Sequence, residues 1–366
     1  MKAQIHPKQL GPAAFVLLLS PALRLFPSAA AQSAQKGVWL AALLAFFPAA
    51  LYLCAFRRAA ALRREGEGLC ELILRAVPGR RGRFALLVLG AWLLVYAGFV
   101  LRSGADRFIV TVYPGTPKSF FILTMALAAL AASFGPLRDA ARCARLFYPV
   151  AAAVLALVLG AALLSVRKEN LLPLEPGSVR GLLSGSLIAL DLLSWAICSA
   201  ALLLPELDVA SCSFRRLLLP LGACCLVLAL IGADVVGCFG AALTASLSWP
   251  FFSLVRNLVF FRSIERIEAL VVALWIFPDF LIVSLFLRAA RRCLALTLGR
   301  RFPPLAEARI ATALCALLIV VFALLAAPDA ASLTLWSQRY IPAANLFFAF
   351  VFLPGLYAVG RIKGRV

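Results

Sequence analysis

The chain has 366 residues, 64% of them hydrophobic and 14% charged, with a mean hydropathy of +0.99; no soluble core needs so large an apolar fraction, whereas a bilayer does. Its net charge of +20 would suit a nucleic-acid binder only if a solvated domain gathered the Lys and Arg, and no stretch of this chain offers one, so the charge is read by topology. The single histidine, His6 in the basic N-terminal tail, leaves almost no room for a His-based metal site or a Ser-His-Asp triad.

Apolar runs long enough to cross roughly 30 Å of hydrocarbon fall at Leu10 to Ala31, Val38 to Phe56, Phe84 to Leu101, Phe120 to Phe134 and Leu146 to Leu164. Five more follow at Ser186 to Leu204, Leu217 to Phe239, Ala269 to Leu287, Ile310 to Leu325 and Ala343 to Val359. The expected architecture is therefore an all-α integral membrane protein of about ten spans in a single transmembrane domain over 1–366. The fourth run is short unless it extends into Ala140. The first run could serve as a signal peptide, since Lys2 and Lys8 precede it and Pro27-Ser28-Ala29-Ala30-Ala31 resembles a cleavage region. We read it as a retained span, because the remaining topology makes sense only if it is counted.

With the N-terminus cytoplasmic, 24 Lys and Arg fall in the tails and even-numbered loops and 11 in the odd-numbered loops. Arg57 to Arg83 and the Arg288 to Arg309 group contribute most. That asymmetry supports both termini inside, and the basic runs act as topological anchors that also meet anionic lipids.

Three connections are more than turns. Arg63 to Arg80 carries an amphipathic stretch around Leu69, Leu72 and Ile73, expected as an interfacial helix beneath the bundle. Ser165 to Gly185, an outer linker with Pro173, Pro176 and Gly177, separates five spans from five. In Ala241 to Glu268, Pro250 precedes Phe251, Leu254, Val255 and Leu258 on one helical face, which reads as a helix along the outer surface over about 249–266. The ten cysteines show no CxxC pair, and Cys198, Cys224, Cys225, Cys238 and Cys315 lie in apolar runs, as small buried residues do.

The stretch from Ser248 to Ile276, SWPFFSLVRNLVFFRSIERIEALVVALWI, resembles the most recognisable segment of the spore germinant-receptor B-subunit family (GerAB-type, in the GerAB/ArcD/ProY group of the amino acid/polyamine/organocation transporter superfamily). Trp249-Pro250-Phe251 with Ser253 to Arg256 is similar to that family's outer segment, and Glu265 to Leu270 to its entry into the eighth span. Glu169 to Pro173, Gly68 to Arg83, and Leu101-Arg102 followed by Pro114 to Pro117 match further elements in order, from Leu10 to about Gly360. The resemblance implies a LeuT/APC-like 5+5 inverted repeat, about 10–164 and 186–360, with the first and sixth spans broken near mid-membrane around a ligand. It further implies a receptor A subunit and a lipoprotein C subunit as partners in the spore inner membrane, and a small nutrient such as an amino acid as ligand. Two departures stand out: Leu192 to Ser199 has neither the glycine nor the glutamate that the family carries at the sixth-span break, and the first span lacks the family's glycine beside its break.

Ser20-Pro21 interrupts the first span, and Asp191 to Trp195 puts polarity into the sixth. Arg24, Asp191, Asp234 and Asp279 are ionisable groups inside spans, each costing about 3 kcal/mol or more unless it faces a polar interior or another charge. Arg24 and Asp191 lie at nearly matched depth on spans that the resembled fold makes neighbours, so we expect them to pair as the polar floor of a ligand pocket, with a ligand carboxylate competing for Arg24. Ser20, Ser194, Tyr96 and Trp195 complete the ligand-binding candidates, Tyr96 and Trp195 alternatively serving as packing. Asp234, near an outer end, is expected to reach water, and Asp279, after Pro278, marks either a hydrated kink or a structural hydrogen bond. Arg256, Arg262, Glu265, Arg266 and Glu268 form an alternating-sign cluster, read either as pairing along a helix surface or as a contact for a partner subunit. No span offers an acid-base pair with a nucleophile, so neither an enzyme nor a cofactor is expected. The competing function is an ion-coupled amino acid permease.

Overall fold

Inside a bilayer each backbone N–H and C=O must be satisfied within its own segment, which favours helices. The computed structural model follows that constraint; it describes residues 5–64, 66–111, 113, 115–172, 179–206, 213–258, 267–300 and 304–364. Its first half comprises α1 (Leu10–Ala34), α2 (Val38–Leu44), α3 (Phe46–Ala61), the short α4 (Leu69–Ala76), α5 (Arg80–Thr111), α6 (Lys118–Ser133) and α7 (Leu137–Leu163). The second comprises α8 (Val179–Ala201), α9 (Phe214–Phe239), α10 (Ala241–Ser246), α11 (Pro250–Asn257), α12 (Ile267–Thr297), α13 (Leu305–Leu325) and a last helical span, α14 (Ala330–Ile362).

All ten expected apolar runs fall in helices, with α2 and α3 together forming the second span. The third span continues ten residues past its expected end at Leu101, because Arg102, Asp106 and Arg107 find partners inside the protein instead of leaving the bilayer. The fourth does not lengthen into Ala140: Gly135-Pro136 separate α6 from α7 and leave α6 with 16 residues. Neither expected break opens. α1 runs through Pro21 and Pro27, and α8 runs through Asp191 to Trp195. A proline removes one backbone hydrogen bond, but neither helix carries at that point the glycine that would let its backbone leave the helical region.

The packing repeats with a period of five spans. α1 packs on α8, α2 and α3 on α9, α5 on α12, and α6 on α13, so each of the first four spans meets the one five further along. The crossed contacts match as well, α1 on α9 mirroring α8 on α2, and α5 on α13 mirroring α12 on α6. An inverted repeat demands this pattern, since a two-fold axis in the membrane plane brings equivalent helices together. The eight-residue helices α4 and α11 are counterparts too, one after the second span and one after the seventh, and therefore at opposite ends of the bundle.

α4 turns Leu69, Cys70, Leu72, Ile73 and Ala76 inward. Its Glu71 accepts from the Gly68 N–H at 2.9 Å and from Arg292 Nε at 2.6 Å, which fixes the helix to α12. α11 buries the expected face, Phe251, Leu254, Val255 and Leu258, and leaves Arg256 and Asn257 exposed. It packs among α1, α7, α9 and α12, so its apolar face is part of the core. At the same end, Asn170 Nδ2 donates to the Gly237 carbonyl at 2.8 Å, tying the linker after α7 to α9.

Small residues set the closest helix approaches, as in other membrane bundles. A Cβ on Gly98 would lie 2.6 Å from Phe322 and 3.0 Å from the Ile319 carbonyl oxygen, whereas one on Gly160 would meet nothing within 4 Å. Gly98→Val should therefore push α5 from α13 and cost about 1–3 kcal/mol of overpacking. Thermal unfolding of the detergent-purified protein should show a clear fall for Gly98→Val and none for Gly160→Val; equal stability of the two would refute this packing.

Candidate functional site

The centre of the bundle is organised around one carboxylate. Asp279 of α12 has no solvent-exposed surface; its Oδ2 accepts from Arg107 of α5 and its Oδ1 from the Ser20 hydroxyl of α1. Three spans thus converge on a single acidic group. Arg107 is itself 1% exposed, and its guanidinium lies 5.3 Å from the Trp275 ring, whose face offsets part of the lost hydration. Gly104, one turn before Arg107, clears the space: a Cβ there would stand 3.4 Å from Asp279 Oδ2. Of the two sequence readings of Asp279, the structure gives the hydrogen-bonded one. Arg107 was missed because it follows the third apolar run and reads as loop; the available signal was the need of Asp279 for a cation.

Arg24 and Asp191 do not form the expected ion pair. Arg24, one turn along α1 from Ser20, places its guanidinium 4.8 Å from the Phe99 ring, and none of its three nitrogens has a hydrogen-bond partner. Its near charges are Asp279 and Arg107. Asp191 of α8 is wholly buried beside Asn345 of α14, yet neither its carboxylate oxygens nor that amide's atoms make a hydrogen bond of acceptable geometry. The reason for the difference is directional: the continuous α1 turns Arg24 toward α5 and α12, while α8 turns Asp191 toward α14. Asn345 lies between two π-helical turns, Trp336–Tyr340 and Phe347–Phe352, the kind of helical irregularity common at functional sites.

Aromatic rings fill the space between these charges. Tyr96 lies 5.5 Å from Trp195 and 5.5 Å from Phe286, and it stands within electrostatic reach of Arg24, Asp191 and Asp279. Trp92 extends the cluster to Phe348, stacked at 5.6 Å. Tyr96, Trp195 and Pro21 border a cavity of ≈ 10 Å³, about one water molecule, so the centre is closed. Ser194 does not join it, because its hydroxyl turns back to the Asp191 carbonyl at 3.1 Å.

Toward the α11 end, Phe251 and Trp275 meet at 5.8 Å above a second cavity of ≈ 20 Å³ lined by Leu19 and Leu23. Asp234 does not reach water: it is 1% exposed and its carboxylate oxygens have no hydrogen-bond partner. After Gly240 (φ 77°) the chain enters α10, which packs on α1 and α9 and whose Thr244 hydroxyl lies 3.5 Å from the Val235 carbonyl of α9. Arg256 is exposed on α11. Arg262, Glu265 and Arg266 lie outside the described residues, as does the side chain of Glu268.

Among the described residues, ten helical spans in a five-span repeat, with buried charge and aromatic rings where the first, third, sixth and eighth meet, define a transporter-fold membrane protein. Two solved structures share that fold. One is Mhp1, a nucleobase-cation-symport-1 family transporter in a closed conformation with bromovinylhydantoin bound: TM-score 0.63, 16% identity, covering 96% of this chain and 78% of that one. The other is a substrate-bound, outward-open Na+-coupled sialic acid symporter: TM-score 0.63, 14% identity, covering 98% and 79%. No curated protein matches the chain. The spore germination protein family, the spore permeases, matches residues 4–331, and the chain belongs to it.

Removing one member of a buried ion pair leaves the other uncompensated, at about 3–5 kcal/mol, while removing both can be nearly neutral. Arg107→Gln and Asp279→Asn should each lower the melting temperature of the purified protein, and the double variant should lie well above the sum of the two losses. Strict additivity would show that the two groups do not compensate one another.

Proposed function

We propose that the chain is the ligand-sensing membrane subunit of a spore nutrient receptor, that it takes a small zwitterion such as an amino acid at its centre, and that it signals through partner subunits of the A and lipoprotein C type in the spore inner membrane, with both termini on the core side. The observation that carries the reading is a pair of buried charges: a guanidinium on α1 whose nitrogens have no hydrogen-bond partner, and a carboxylate on α8 with the Asn345 amide beside it. A ligand carboxylate matches the first by a forked hydrogen bond, and a ligand ammonium matches the second.

The centre holds about one water in this conformation, so binding requires the helices to separate and then close on the ligand. A change of shape that depends on the ligand is what a receptor passes to its partners, and no covalent step is needed. The A-type partner would meet the exposed Arg256 and the charged segment after it, Arg262 to Glu268. The permease reading draws on the two structural neighbours, both of which are transporters. Against sodium coupling in this chain stands Arg107, which already supplies Asp279 with a positive charge.

Deleting the gene should leave growth on amino acids intact and slow the germination of dormant spores in at least one nutrient. Loss of labelled amino acid uptake in growing cells with normal germination would establish the permease instead. Within the receptor, Arg24→Gln should insert normally and raise the nutrient concentration for half-maximal germination about tenfold or more, the worth of one charge-assisted hydrogen bond. An unchanged dose response would remove Arg24 from the site.

A further inference from the structure

A cavity of ≈ 250 Å³ opens among α3, α4 and α14, away from the central site. Its walls are apolar: Leu72 and Ile73 from the inward face of α4, Phe56 from α3, and Leu353 and Leu356 from α14. Two exposed cations border it, Arg58 in the last turn of α3 and Arg361 in the last turn of α14. Both helices end here, at the end of the bundle where α4 lies and where the sequence concentrates its Lys and Arg. The cations therefore stand at headgroup level, with the apolar space beneath them toward the hydrocarbon.

We propose that this cavity is a binding site for one anionic phospholipid, with an acyl chain between α3, α4 and α14 and the phosphate held by Arg58 and Arg361. Guanidinium groups bind phosphate oxygens bidentately, and two of them on the border of one apolar cavity favour a headgroup of net negative charge over a zwitterionic one. A free phosphate would satisfy the arginines but leave the apolar space beneath them unfilled. Tyr52, also a wall residue, meets Cys198 Sγ on α8 through its hydroxyl at 2.9 Å, one turn of helix from Trp195. One wall of the cavity is thus in direct contact with the span that carries Asp191.

The test uses the full chain in nanodiscs with a photoactivatable phosphatidylglycerol as tracer. Labelling is expected on the peptides spanning 52–60 and 353–361, displaced by unlabelled phosphatidylglycerol but not by phosphatidylcholine or inorganic phosphate. The R58Q/R361Q variant should lose about tenfold of that labelling, R58K/R361K, which keeps the charge and loses the fork, should fall between it and the unchanged chain, and Ala55→Phe, which fills the cavity and spares both cations, should lose the labelling as well. Equal displacement by phosphatidylcholine would reduce the site to ordinary boundary lipid, and displacement by inorganic phosphate would reduce it to an anion site. Labelling that survives both R58Q/R361Q and Ala55→Phe would overturn the assignment.

Discussion

A carboxylate at mid-membrane is costly to leave alone, and the arrangement of this bundle follows from how Asp279 is compensated. Its two oxygens take different partners from different spans, Arg107 on α5 and Ser20 on α1. A register shift of one residue in any of the three helices would rotate a partner away by about 100°. Replacing such a pair with well-packed apolar residues is often neutral or stabilising, so the pair is poorly explained as a source of stability. What it does supply is alignment: α5 and α12, the third and eighth spans, are the most extensively packed pair in the molecule, and the ion pair fixes how far one slides along the other.

The sequence announced this architecture unevenly, and the division is physical. Spans depend on local apolar length, and α11 depends on the spacing of Phe251, Leu254, Val255 and Leu258 after a proline; such short-range information is visible in a single chain. Charge pairing is not local. Arg107 and Asp279 lie 172 residues apart, and nothing in the stretch Arg102 to Thr111 distinguishes a polar loop from the charged end of a long helix until the partner is in place. The same limit explains the misassigned partner of Arg24. Matched depth on neighbouring spans gives two side chains the same height but says nothing of azimuth, and azimuth turns Arg24 toward Phe99 and Asp191 toward Asn345. Ser20-Pro21 read as a break because proline loses a hydrogen bond, yet a helix packed among its neighbours tolerates that loss, and α1 does so at both Pro21 and Pro27.

Two kinds of buried charge are therefore present in one core. Asp279 and Arg107 complete each other, whereas Arg24 and Asp191 each retain hydrogen-bonding capacity that the protein leaves unused. An unsatisfied buried polar group raises the free energy of the state containing it by about 1–3 kcal/mol, more when charged. A ligand that supplies the missing partners removes that cost only in the state that binds it, which is the differential affinity any ligand-driven shift requires. The closed, aromatic-lined centre strengthens the effect, since charge interactions grow as water is excluded.

The segment that carries the family resemblance, Ser248 to Ile276, sits where it can report on that centre. Phe251 of α11 packs on Trp275 of α12, Trp275 lies over the Arg107 guanidinium, and Arg107 holds Asp279. Each contact is with the next, so α11 cannot lift without uncovering Trp275, and Trp275 cannot turn without exposing one face of a buried cation. Such a chain does not by itself carry a signal, for packed intermediacy is not coupling. It does restrict the available motions: any opening of the centre toward the α11 end must move Phe251 and Trp275 together, and α11 is continuous in sequence with the charged segment Arg262 to Glu268. Closure of the bundle therefore moves α11 together with the residues that cover the buried ion pair.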